Sequence, residues 1–126
     1  TNIKNNKIDP SDLVYFNFED YNENLEKYVI KKNDIVIATS GATTGKIGIN
    51  NSDSTFYINQ RVGKFIPYTM LNNKFLFYIL GTKVAESLHI ATGAAQPNLS
   101  SEQIYNFIIP IPNTISILII TIIFYP

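Results

Sequence analysis

From Ile35 to Ile66 the chain reads as four short apolar segments, rich in β-branched and aromatic residues and parted by small polar turns. Ile35-Val36-Ile37-Ala38 has the composition of a short buried strand. Thr39 to Gly45 is small and polar with two glycines, a tight loop between strands. Lys46-Ile47-Gly48-Ile49 resumes as a strand, and Asn50 to Ser54 is another turn. Thr55 to Ile58 and Arg61 to Ile66 are two further strands, the second ended by Pro67. So many strands in so little chain predict a twisted antiparallel or mixed sheet.

The flanks add helices. Asp12 to Phe16 is β-prone behind the turn cluster Asp9-Pro10-Ser11. Asn17 is placed to cap a helix, with Asp20 in its first turn and Tyr21, Leu25 and Tyr28 at helical spacing. The clearest helix begins at Asn73, where Leu76, Ile79, Leu80, Val84 and Leu88 form one apolar stripe. Ser100 and Gln103 have capping-box spacing and open one short helical turn. Phe107 to Pro112 reads as an edge strand. Residues 115–125 form an apolar run of eleven residues, short of the roughly 20 that a membrane helix needs. Its isoleucine content favours a strand. The expected fold class is α/β (α+β-like), a twisted mixed or antiparallel sheet with short flanking helices.

The 126 residues suit one domain, and 45% hydrophobic with 16% charged residues excludes disorder for most of the chain. The sequence has no Cys, which excludes disulfides, thiolate metal sites and cysteine nucleophiles, and fits a reducing compartment. It begins at Thr1 with no basic-then-apolar leader and looks cut from a longer sequence. Net charge is zero, with a weak polarity. Residues 1–34 carry five Lys against seven Asp or Glu, about −2, and residues 35–105 carry five cations against three acids, about +2.

Two small loops and one polar turn are the places where chemistry concentrates. Gly41-Ala-Thr-Thr-Gly45-Lys46 invites comparison with a phosphate-binding P-loop. Its glycines are one residue too close, and Ile47 stands where Ser or Thr would hold magnesium. Ser40, Thr43, Thr44 and Lys46 still offer donors to a phosphate, or else form a plain hairpin connection. Asn59, Gln60 and Arg61 are long polar side chains of the kind that read base edges, or a solvated strand connection. Gln96 and Asn98, stiffened by Pro97, pose the same alternatives. His89, the sole histidine, has no triad or metal-ligand spacing around it and is expected to be structural. Glu19, Asp20, Glu23 and Glu26 read as a solvated face.

Three segments in order resemble the target-recognition domain of type I restriction–modification specificity subunits. The first runs from Lys31 to Ile49 and is similar to that family's turn, "D-I" strand, Ser/Gly loop and "G-K-x-G" return strand. The second, Ile58-Asn59-Gln60-Arg61-Val62, is similar to its "N-Q-R/H" segment. The third, Ala91-Thr92-Gly93-Ala-Ala-Gln96-Pro97-Asn98-Leu99-Ser100, is similar to its "T/S-G-x-x-Q-P-N-I/L-S" segment. The resemblance covers about residues 10–112.

The resemblance implies a DNA methylase specificity-type fold and sequence-specific binding of double-stranded DNA, reading one half-site of a bipartite target. It implies no enzyme activity and no cofactor in this chain. Partner methyltransferase subunits would hold S-adenosylmethionine, and restriction subunits would cut, in the cytoplasm of a bacterium or archaeon with no membrane contact. DNA contact is carried over to Ser40, Thr43, Thr44, Lys46, Asn59, Gln60, Arg61, Thr92, Gln96 and Asn98. Residues 1–112 would be a partial target-recognition domain. After Pro112 the family continues with another Pro and a charged long helix. Residues 113–126 are instead hydrophobic and read as a truncation or frameshift product. The alternatives are the recognition domain of a fused restriction–methylation enzyme, a remnant of a disrupted specificity gene, or a nucleotide-binding enzyme domain built on the Gly41–Lys46 loop.

Overall fold

A strand that is apolar at every position needs cover on both faces, and the segment at the centre of this fold receives it. The computed structural model describes residues 2–67, 71–90, 99–110 and 120–124, with 89–90 and 120–124 described by backbone path alone. Its strands are β1 (Ile3–Lys4), β2 (Lys7–Ile8), β3 (Val29–Ile30), β4 (Ile35–Ala38), β5 (Ile47–Ile49), β6 (Phe56–Tyr57), β7 (Val62–Pro67) and β8 (Ile120–Phe124). Its helices are α1 (Asn73–Ile90) and α2 (Ser101–Tyr105). Six strands form a sheet in the order β1-β2-β5-β4-β7-β8, while β3 and β6 form a second small sheet. All pairs are antiparallel except β2 with β5, so the main sheet is mixed.

Strand β4 lies between β5 and β7, with Ile35 opposite Ile49 and Phe65, and Ala38 opposite Val62. Because side chains alternate across a strand, its residues divide between two cores. Ile35 and Ile37 join Ile47 and Phe65 beneath Leu76, Leu80 and Val84 of α1, and Leu99 and Ile104 complete that layer. Val36, Ala38 and Val62 face Leu25, Tyr28, Ile30 and Ile58 on the other side. Ile79 and Leu88, the rest of the expected α1 stripe, are half-buried against the first core. Lys64, on the second face of β7, donates to the Val29 carbonyl at 2.6 Å and sits 3.7 Å from Asp34, tying the small sheet to the large one.

Both helix starts have a local cause. The Asn72 side-chain oxygen accepts from the amides of Lys74 and Phe75 at 2.9 and 3.3 Å, capping α1. The expected capping box at α2 is formed: Ser100 Oγ accepts from the Gln103 amide at 3.1 Å, and Gln103 Oε1 accepts from the Ser100 amide at 2.9 Å.

The structure departs from expectation at several places. Asp12 to Phe16 is no strand: a 3-10 turn spans Pro10–Asp12, and the chain then runs on with no neighbouring strand among the described residues. The helix expected after Asn17 is two separate 3-10 turns, Phe18–Asp20 and Leu25–Tyr28. Asn17 makes no side-chain cap, whereas Asn24 accepts from the Glu26 amide and restarts the chain as a new turn. Phe107 to Pro110 is irregular, although Phe107 and Ile109 pack on the first core; residues 111–112 lie outside the described residues. The flanking helices are also unequal, since α1 spans 18 residues. Strand preference in the hydrophobic tail is realised at Ile120–Phe124, which pairs with β7 from Pro67↔Ile120 to Gly63↔Phe124. Residues 115–119 and 125 lie outside the described residues.

The hairpin β1–β2 was not expected either. It turns on Asn5 and Asn6, both at positive φ (50° and 62°), as a two-residue primed turn requires. Beside it, Asp9 takes a hydrogen bond from Lys4 Nζ at 2.6 Å and one from the Ser11 amide at 2.9 Å. The lysine contact first, and the amide second, pull the Asp9 carboxyl from its ordinary 3.8 to about 2. A carboxyl depressed in the fold lends stability that is present above 3.8 and is lost as pH falls through about 2. An NMR titration is expected to place the Asp9 midpoint near 2 and to find it moved towards 3.8 in Lys4→Met; an unmoved midpoint would leave the lysine without a role.

Candidate nucleic-acid interface

The loop between β4 and β5 is built from two consecutive tight turns. The Thr44 amide and hydroxyl both donate to the Gly41 carbonyl, at 3.1 and 2.7 Å, and the Lys46 amide donates to the Thr43 carbonyl at 3.0 Å. Gly45 N donates to the Ala38 carbonyl at 2.7 Å and closes the hairpin. Gly41 and Gly45 sit at φ of +82° and +81°, where a Cβ is unfavourable. Around Gly41 there is open space, whereas a Cβ on Gly45 would overlap Leu88 Cδ1 and come within 3.1 Å of Val84 Cγ1. The loop is therefore seated on the last turns of α1. A strand follows it, not a helix, so the helix N-terminus that a phosphate-cradling P-loop needs is missing here.

The second segment is a β-turn between β6 and β7. Val62 N donates to the Asn59 carbonyl at 3.0 Å, which puts Gln60 and Arg61 at the two corners. Asn59 Oδ1 accepts from the Arg61 amide at 3.0 Å, an Asx turn that stiffens the same bend.

One residue joins the bends. Thr39 N donates to the Arg61 carbonyl at 2.9 Å, and Leu99 N donates to the Thr39 carbonyl at 3.3 Å. Thus the Ser40–Lys46 loop and the Asn59–Arg61 turn emerge side by side from the same end of the main sheet. Leu99, near the end of the third segment, is anchored beside them. Thr92, Gln96 and Asn98 themselves lie outside the described residues, as does the His89 side chain.

The polar groups of the two bends differ in what is left to them. Thr44 has committed its hydroxyl proton inside the loop. Ser40 Oγ, Lys46 Nζ, Asn59 Nδ2, the Gln60 amide and the Arg61 guanidinium donate to no described residue. Lys46, Asn59, Gln60 and Arg61 are exposed, and Ser40 and Thr43 are half-buried. Lys4, Lys27, Lys32, Lys64 and Lys83 each have a carboxylate within 4 Å; among the described residues Lys46 and Arg61 have none. Two positive charges with unused donors on rigid turns are suited to an anionic, donor-accepting surface.

The sequence did not disclose the part of Thr39, because its contribution is made by backbone atoms. Nor did it disclose the seat of Gly45 on Leu88, which joins residues far apart in the chain. Only the glycine itself was a signal, and only of positive φ. Among the described residues no helix is long and apolar enough to cross a membrane. No curated relative matches the chain. The family model for the type I restriction modification DNA specificity domain matches residues 1–117, taking in all three segments described above. With that match over most of its length, the chain belongs to the type I restriction modification DNA specificity domain family, whose members are the DNA target-recognition components of their systems.

Proposed function

We propose that this chain reads one half-site of a bipartite double-stranded DNA target, with the Ser40–Lys46 loop and the Asn59–Arg61 turn against the duplex. The observation that carries this is the hydrogen bond from Thr39 N to the Arg61 carbonyl, which holds two donor-rich bends at one end of one sheet. Lys46 takes a phosphate, joined by Ser40 and Thr43, and fixes the register. Asn59, Gln60 and Arg61 enter the groove, where Arg suits guanine and Asn or Gln suits adenine. Thr44 serves by holding the loop's shape. Thr92, Gln96 and Asn98 act from the third segment. The chain itself performs no chemistry in this scheme. Methyl transfer with S-adenosylmethionine, and cleavage, belong to methyltransferase and restriction subunits of the same system, in a bacterial or archaeal cytoplasm.

The test is binding of the full chain to duplex DNA by fluorescence anisotropy over a salt series. Lys46→Ala is expected to weaken binding to every sequence alike and to make the slope of log K against log salt shallower by about 1. An unchanged affinity and slope would remove Lys46 from the interface. Equilibrium dialysis with nucleotides, run beside it, decides against the enzyme alternative if nothing binds.

A further inference from the structure

Residues 13–17 are an extended segment that joins no sheet among the described residues. The composition of this segment is that of a β-strand, and the backbone is extended at both ends: Leu13 has φ −84° and ψ 140°, Asn17 φ −97° and ψ 134°. Yet no hydrogen bond joins the backbone of Leu13 to Phe16 to any described residue. Val14 and Tyr15 are 92% and 86% exposed, far more than apolar side chains of this size need be. The segment is nonetheless held in place at its base. Phe16 meets Phe18, Tyr21 and Tyr57 edge-on at centroid distances of 5.2, 5.3 and 5.2 Å, so the apolar side chains are presented on an ordered footing.

Charge says what kind of surface fits. Between Lys7 and Lys27 the chain carries six carboxylates (Asp9, Asp12, Glu19, Asp20, Glu23 and Glu26) and no cation. Asp9 and Glu23 are paired with Lys4 and Lys27, and Asp12 acts on Lys4 from farther off; Glu19 and Asp20, within three residues of Asn17, have no cation within 4 Å among the described residues. Such a rim repels a phosphate backbone and attracts a basic one.

We infer that Leu13–Asn17 is a docking strand for a partner protein, which offers an open sheet edge flanked by lysine or arginine and an apolar recess for Val14 and Tyr15. Pairing along that edge satisfies the bare amides and carbonyls, and the acidic rim selects the partner. This surface shares no residue with the DNA-reading bends.

The experiment uses the full chain with p-benzoylphenylalanine in place of Tyr15, irradiated in the cells that make it, with Ser101 carrying the same group as a control. The protein cross-linked at position 15 is then purified and added to the unlabelled chain. The expected result has three parts: the amides of 13–17 slow their hydrogen exchange by about 100-fold or more, binding weakens with salt, and Val14→Ser with Tyr15→Ser reduces it by about tenfold or more. Melting and Lys46-dependent DNA binding of that doubly substituted chain stay unchanged, because both side chains stand in solvent. The inference is overturned by cross-links no more frequent than at Ser101, by cross-links confined to this chain or a second copy, or by protection of 13–17 with duplex DNA alone. A partner that binds while those amides go on exchanging freely overturns it as well.

Discussion

Gly45→Ala is expected to destabilise the fold by about 2–5 kcal/mol and to abolish tight DNA binding with it. Two costs add at this position. An L-residue at φ +81° carries a backbone strain of about 1–2 kcal/mol. The new methyl also meets Leu88 and Val84 on α1, and overpacking of that kind costs about 1–3 kcal/mol. Gly41→Ala separates the two, since Gly41 has the same φ but open space around it; it should cost only the strain. Urea unfolding of Gly45→Ala, Leu88→Ala and the double variant completes the test. If the clash is real, the double variant is less destabilised than the sum of the singles. A Gly45→Ala chain as stable as Gly41→Ala would mean that α1 does not seat the loop.

The other large effect is on specificity. Arg61→Ala is expected to weaken binding to the preferred duplex by about 1–3 kcal/mol, roughly 5- to 150-fold, with a smaller change on unrelated duplexes. The backbone of Arg61 is held at both ends, its amide by Asn59 Oδ1 and its carbonyl by Thr39 N. Removing an exposed side chain therefore leaves the turn intact, and melting should not move. Arg61→Lys sharpens the outcome, because lysine keeps the charge and loses the planar fork. A base-reading arginine makes the lysine variant behave like alanine on the preferred duplex while the salt slope stays near the native value. A phosphate-binding arginine makes lysine restore most of the affinity. The preferred duplex is first selected from a random library with the native chain, and equal preference before and after Arg61→Ala would return the residue to structure.

The order of strands β4 to β7 and the helix α1 were legible because each rests on a local pattern. Ile35–Ala38 is apolar at every position, and the Leu76, Leu80 and Val84 spacing can bury only one helix face. The capping box at Ser100 was legible for the same reason: its two partners are three residues apart. Expectation failed where a local preference had no neighbour to satisfy it. Val14 and Tyr15 favour a strand, but no described residue pairs with them. Asn24 competes for the backbone and divides the helix expected before Tyr28. Asn5-Asn6 was a missed signal, since two consecutive asparagines suit a turn that needs positive φ twice.

By itself, then, the sequence determined the elements near the middle of the chain, the two glycine bends, and which side chains on them can donate. Periodicity and turn chemistry act over a few residues, and a few residues suffice to show them. Tertiary structure alone decided that β4 serves two cores, that Gly45 rests on Leu88, and that Thr39 holds the two bends together through its amide while its carbonyl takes the amide of Leu99. Those contacts join residues distant in the chain through backbone atoms and close packing. Neither leaves a mark in the order of the amino acids.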